Sequence, residues 1–175
     1  DPETRVFIHY PDLAGNKQIS WVNPDSEGNI WIGTTEEVII YDPMKGDIFR
    51  YPEHSRSFTE DTKKRIWIAT SDKGIAQYSK HDGAIKYYVE SDGLANNQAL
   101  CILEDNNHSL WISTSNGLSK FDPEKEQFRN FTSKNGLRND FFNYGAAYKA
   151  KSGELLFGGI SGFNMIDPSS ILSED

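Results

Sequence analysis

Asp25-Ser26-Glu27-Gly28-Asn29-Ile30-Trp31-Ile32-Gly33-Thr34 recurs along the chain. Asp61 to Thr70 ends in Ile66-Trp67-Ile68-Ala69-Thr70, and Asp105 to Thr114 in Leu110-Trp111-Ile112-Ser113-Thr114, each Asp six residues before its Trp. A degenerate fourth copy runs from Lys151 to Ile160, with Lys151 expected at the Asp place and Phe157 at the Trp place. About ten residues beyond each aromatic lies a second block: Tyr41-Asp42-Pro43, Tyr78-Ser79-Lys80, Phe121-Asp122-Pro123 and Ile166-Asp167-Pro168. The steps between aromatics are 36, 44 and 46 residues, close to the roughly 40 to 50 of propeller blades and far from leucine-rich repeats. Each unit holds four short runs separated by Asx- and Pro-rich turns, the pattern of a small antiparallel sheet.

Such a sheet cannot bury both faces alone and must stack on its neighbours. The fold expected is all-β, a β-propeller of four-stranded antiparallel blades with about four blades present. They span 18–51, 56–89, 98–131 and 142–167, the last completed by a strand from 5–10, because Asp1-Pro2 to Tyr10 aligns with Asp42-Pro43 to Tyr51. A blade divided in this way lets the chain close alone as four blades, exchange strands with a second copy, or stand as a partial propeller within a longer array, and exposed blade edges promote self-association. Trp31, Trp67, Trp111 and Phe157 belong in the seams between blades, and the repeated Asp residues close hairpins through local N–H groups.

The composition narrows function by exclusion. Among 175 residues, 18 Lys plus Arg stand against 26 Asp plus Glu, a formal charge of -8, which argues against direct nucleic-acid contact. No run of roughly 20 apolar residues exists to insert into a membrane. The single Cys101 lies in an apolar strand and forms no internal disulfide. No leader-like segment follows Asp1, so localisation is left to other signals. His9, His54, His81 and His108 fall in strand ends or turns, without the helical setting of a phospho-acceptor. No Ser/His/Asp or Cys/His order has local support as a catalytic set, and repeated turns on separate blades do not converge as metal ligands. No cofactor, metal or catalytic residue is expected.

The Asp25–Thr34 core, the Tyr41-Asp42-Pro43 turn, the Asp92-Gly93-Leu94-Ala95-Asn96 loop and the closing run Gly153 to Pro168 resemble two-component regulator propeller repeats. That resemblance implies the periplasmic sensor region of a hybrid two-component system, best known from Bacteroides, in a full-length protein that is a histidine kinase. It implies a segment that is itself no enzyme, binding a glycan-derived oligosaccharide and signalling to a cytoplasmic kinase and transcription regulator. The long loops carry Asn96, Asn97, Lys134, Arg138, Asn139 and Asp140, amides and charges suited to sugar hydroxyls or uronates. The same Asn residues also suit turn capping. The second loop, near Pro52 to Arg56, is about eight residues shorter and opens one side of this face. Two other readings are a propeller-type lyase or glycosidase, which would need paired carboxylates across a cleft, and a structural interaction scaffold.

Overall fold

A computed structural model describes residues 11–171. After a single turn, α1 (Pro11–Ala14), the first sheet comprises β1 (Ile19–Pro24), β2 (Ile30–Thr34), β3 (Val38–Tyr41) and β4 (Ile48–Tyr51). The second comprises β5 (Ser55–Glu60), β6 (Ile66–Thr70), β7 (Ile75–Tyr78) and β8 (Ile85–Tyr88). The third comprises β9 (Ala99–Glu104), β10 (Leu110–Thr114), β11 (Gly117–Asp122) and β12 (Gln127–Phe131). Among the described residues the fourth has three strands, β13 (Phe142–Lys149), β14 (Leu155–Gly159) and β15 (Gly162–Ile166). All pairings are antiparallel between strands consecutive in sequence, so this is the all-β architecture of propeller blades. The strand expected at 5–10 lies outside the described residues.

Each repeated residue has a local task. Asp105 Oδ1 accepts from the N–H groups of Asn107 (2.8 Å) and Ser109 (3.0 Å), closing the β9–β10 hairpin. Its Oδ2 accepts from Trp111 Nε1 at 2.8 Å. Asp25 and Asp61 hold Trp31 and Trp67 in the same way, at 3.0 and 2.9 Å. Six residues separate donor from acceptor because the hairpin folds the carboxylate back over the second strand. At the other end, Thr34, Thr70 and Thr114 donate to the carbonyls of Glu37, Gly74 and Gly117, closing the hairpins that follow.

The fixed indoles fill the seams. Trp31, Val38 and Ile40 pack on Ile66, Ile68 and Ala76 of the next sheet. Trp67, Ile75 and Tyr88 pack on Ile102, Leu110, Ile112 and Phe121, and Trp111, Leu118 and Phe131 pack on Phe142, Leu155, Phe157 and Ile166. A polar clamp crosses two of these seams. The backbone N–H and hydroxyl of Ser26 both donate to Glu60 (2.6 and 2.9 Å), and those of Thr62 to Glu104 (2.9 and 2.8 Å). The sequence signal for it is a Glu directly before Asp61 and Asp105, with Ser or Thr directly after Asp25 and Asp61.

The fourth copy sits one residue away from its expected register. Ala150 donates to the Glu154 carbonyl as Asp105 does to that of Ser109, and Leu156 pairs with Met165 as Trp111 pairs with Lys120. Leu156 therefore holds the Trp place and Ala150, not Lys151, the Asp place. Phe157 corresponds to Ile112 and points back into the seam toward Trp111. The hairpin decides this: its fourth residue has a left-handed backbone in every copy, at Gly28 (φ 91), Lys64 (φ 68), His108 (φ 64) and Gly153 (φ 108). Aligning Gly153 with that position shifts the motif by one.

The departures from Gly33 have a packing cause. Trp21 pairs with Gly33, and a Cβ there would meet the Trp21 ring at 2.1 Å. Ala69 and Ser113 take the Gly place in the next two sheets, where their cross-strand partners are the smaller Ser57 and Cys101.

The inner strands pack in order, β1 on β5, β5 on β9 and β9 on β13, and no comparable packing joins β13 to β1 among the described residues. Two seam faces thereby have no neighbouring sheet among the described residues. Phe163, at the position of Val38, Ile75 and Leu118, is 62% exposed where those three are fully buried. Val22, at the position of Ile102, is 54% exposed against 1%.

Replacing Asp105 by Ala strands the Trp111 indole N–H and two hairpin amides and is expected to lower unfolding free energy by about 1–3 kcal/mol, read by chemical denaturation. Lys64→Gly relieves a left-handed backbone that costs a side-chain-bearing residue roughly 1–2 kcal/mol, so a rise in denaturation midpoint is expected. Burial pushes the Asp25 carboxyl up, but hydrogen bonds from Asn29, Trp31, Lys80 and the Glu27 amide outweigh it and hold its pKa at about 2, against an ordinary 3.8. A depressed carboxylate stabilises the fold above its unfolded pKa and ceases to as pH falls through the folded value. The stability gap between wild type and Asp25→Asn should hold above about pH 4 and narrow between about pH 4 and pH 2.

Candidate functional site

Repeated positions serve hairpins and seams, so a ligand site must use residues that break the repeat. The long loops at 89–98 and 132–141 share one backbone frame and differ in the side chains they carry, Lys134 and Arg138 standing where the first has Ser91 and Ala95. Each enters through a 3-10 turn, Glu90–Asp92 and Ser133–Asn135, and leaves it through Gly93 and Gly136. Leu94 and Leu137 pack into seams two and three. Each loop is fastened to the β2–β3-type hairpin of the preceding sheet: Gly74 N–H donates to the Asn97 carbonyl (2.8 Å) and Gly117 N–H to that of Asp140 (2.7 Å). Both loops therefore lie at one end of the blades, the end where the Thr-closed hairpins turn.

Four of the six expected ligand residues make bonds within this framework. Asn96 Oδ1 accepts from the Gln98 amide (3.0 Å) and Ser115 Oγ (2.8 Å). Asn97 Oδ1 accepts from the Glu90 amide, while the Asn97 amide donates to Glu90 Oε1, both at 2.8 Å. Asp140 accepts from the Ser133 amide (2.5 Å) and hydroxyl (3.0 Å), and Asn139 Oδ1 accepts from the Phe141 amide (3.1 Å). Arg138 is exposed and uses Nε to donate to the Ser161 carbonyl (2.9 Å). Lys134 is exposed at the tip of its turn. No hydrogen bond links the two loops among the described residues. They form neighbouring ridges on one face rather than one cluster.

The short second loop carries residues that sequence reasoning missed. Glu53 is buried, and its Oε2 accepts from Tyr87 Oη (2.6 Å) and Lys73 Nζ (3.1 Å). Burial, then the Glu53 carboxylate, raises the Tyr87 phenol to about 12. This ion-paired cluster belongs to the short loop that was expected to open one side of the face. A polar side chain in a short loop gives no periodic signal by which it could be found.

Among the described residues no group of three or more His, Cys, Asp or Glu could hold a metal ion, and no helix is long and apolar enough to cross a membrane. His81 and His108 are exposed, His108 Nδ1 lying 2.8 Å from Thr62 Oγ1. His9 is outside the described residues. Cys101 is buried beside Ser113.

Residues 12–36 and 93–116 match the model of the two component regulator propeller. Those two stretches are similar to two-component regulator propeller repeats. It superposes, with TM-score 0.83 and 26% identity over 93% of its length, on the extracellular domain of BT3049, assigned to a hybrid two-component system of Bacteroides thetaiotaomicron. The extracellular domain of BT4673 from the same organism matches over 87% of the chain with TM-score 0.76 and 23% identity. The chain covers 24% and 23% of those two proteins, about a quarter of their lengths. Virginiamycin B lyase from Staphylococcus aureus matches with TM-score 0.72 and 20% identity over 91% of this chain and 56% of its own, a likeness of fold alone. No curated protein sequence matches the chain.

Burial pushes the Cys101 thiol up from its ordinary value, which removes the reactive thiolate. An aromatic disulfide reagent at pH 8 should leave Cys101 unlabelled in the native protein and titrate one thiol in denaturant. Rapid native labelling would show that the seam opens readily.

Proposed function

We propose that this propeller segment belongs to the extracytoplasmic sensor region of a hybrid two-component signalling protein, lying in the periplasm. On this reading it binds a glycan-derived oligosaccharide and passes the signal to a cytoplasmic histidine kinase and transcription regulator. The observation that carries the reading is the pairing of segments similar to regulator-propeller repeats with two long loops on one face. The second of those loops presents Lys134 and Arg138 above a backbone fastened to the sheets. Rigid loops with projecting donors suit recognition of hydroxyl-rich ligands, because little ordering entropy is lost on binding. The match to the extracellular domain of BT3049 supports the sensor assignment.

The chemistry favours a neutral or weakly anionic sugar. Lys134 and Arg138 supply donors, while the formal charge of -8 disfavours a polyanion. The segment acts by binding, without turnover.

Calorimetric titration of the chain with neutral and uronic-acid oligosaccharides tests this. Heat of binding is expected for at least one neutral oligosaccharide, with Lys134→Ala and Arg138→Ala each weakening affinity by about tenfold, the loss of one charge-assisted hydrogen bond. Cleavage products would overturn the binding-only reading. Absence of binding across the panel would overturn the glycan assignment and leave the scaffold.

A further inference from the structure

A cavity of about 500 Å3 opens in the first seam, between the β3–β4 turn of the first sheet and the β7–β8 turn of the second, at the end of the blades opposite the long loops. Both of its walls are four-stranded sheets, and α1 packs on the other face of the first, against Ile32 and Ile39. Trp31, Ile40, Phe49, Tyr51 and Tyr78 give it an apolar lining, in which the Tyr51 and Tyr78 hydroxyls are bonded to each other at 2.8 Å. Phe49 is 56% exposed.

The second seam has the same frame but is laced shut. Strand register puts Lys86 at the place of Phe49, Tyr88 at that of Tyr51 and Glu126 at that of Gly83. Glu126 Oε1 accepts from Lys86 Nζ (2.5 Å) and Tyr88 Oη (2.9 Å), and the Lys86 ammonium lies 4.7 Å from the centre of the Tyr88 ring. Glu124 adds ion pairs with Lys63 and Arg65, positions at which the first seam has His81, Glu27 and Asn29. In the third seam the place of Phe49 is taken by Arg129, whose guanidinium stands 5.2 Å from the centre of the Phe131 ring. Two seams thus carry a cation over the aromatic ring two residues further on. The first has Phe49 there, and no cation lies over Tyr51 among the described residues.

The charge around the cavity points the same way. Lys80 is held by Asp25 (3.2 Å), Glu27 (3.3 Å) and Glu60 (3.0 Å), and Lys45 lies 3.3 Å from Asp42. That leaves Asp47 and Asp82 in the lining without a lysine or arginine partner among the described residues. We propose that this cavity binds a primary amine in its ammonium form, the cation seated over the Tyr51 ring where the other seams place Lys86 and Arg129. Asp47 and Asp82 supply the negative field that Glu126 supplies to Lys86, and Trp31, Ile40 and Phe49 receive the body of the ligand. The quadrupole of an aromatic ring attracts an ammonium over its face, and a cavity of this volume suits a small molecule. The site is separate from the loop face and does not rest on the glycan reading.

Ligand-observed nuclear magnetic resonance titration of the full chain tests this with two amines, pentylamine and the disaccharide of glucosamine, at a pH below the pKa of both. Each is compared with a neutral counterpart, pentanol and the N-acetylated disaccharide. At least one amine should bind, and its counterpart roughly tenfold or more weakly; the tighter of the two amines distinguishes an alkyl amine from an amino sugar. Phe49→Lys, at an exposed position, puts an ammonium of the chain's own over Tyr51 and should weaken amine binding about tenfold or more, because like charges placed side by side repel strongly. Phe49→Leu keeps an apolar wall and should retain binding. Failure of both amines to bind would overturn the proposal. So would neutral counterparts that bind as tightly, a Phe49→Lys protein that binds as the wild type does, or a Phe49→Leu protein that loses as much as Phe49→Lys.

Discussion

An aspartate carboxylate bonded to the indole N–H of a tryptophan six residues later sets the arrangement of this molecule. The same carboxylate closes the hairpin with its other oxygen, so turn and seam are fixed by one side chain. The indole, held by its polar edge, lies flat in the gap between sheets and presents its apolar area to the next blade. A sheet of four short strands has too little interior of its own and depends on a large, immobile side chain to stack against.

The division between repeated and unrepeated residues separates those that build the sheets from those left for the proposed recognition. Asp, Trp and Thr recur because every blade needs a closed hairpin, a filled seam and a second closed hairpin. Lys134, Arg138 and the Glu53–Lys73–Tyr87 cluster occur once. Their neighbours Asn96, Asn97 and Asp140 are held by bonds that keep the loops in shape, which makes the face a rigid platform whose projecting groups are few.

The blades were legible because their signals are periodic: a turn residue, a fixed interval, an aromatic and a second turn. The last copy misled because its aromatic survives at a different position. Phe157 is the only aromatic in that strand, yet the left-handed turn at Gly153 places Leu156 where Trp111 stands. Turn geometry, not side-chain likeness, sets strand register. The Ser26–Glu60 and Thr62–Glu104 clamps escaped notice because their partners lie 34 and 42 residues apart, and only folding brings them together. Glu53 escaped because a buried carboxylate in a short loop looks, in sequence, like any solvated one.

The pairs Trp21 with Gly33, Ser57 with Ala69 and Cys101 with Ser113 divide a similar volume differently in each blade. The repeats look alike in their motifs yet are keyed separately at this point. Moving β1 into the second blade would press an indole against the Ala69 methyl, and moving β5 into the first would leave a hole above Gly33. Such an array can lengthen by copying whole blades, each bringing lock and key together. Recombination that cuts between first and second strands would yield mismatched hybrids, so the heritable unit here is the intact sheet.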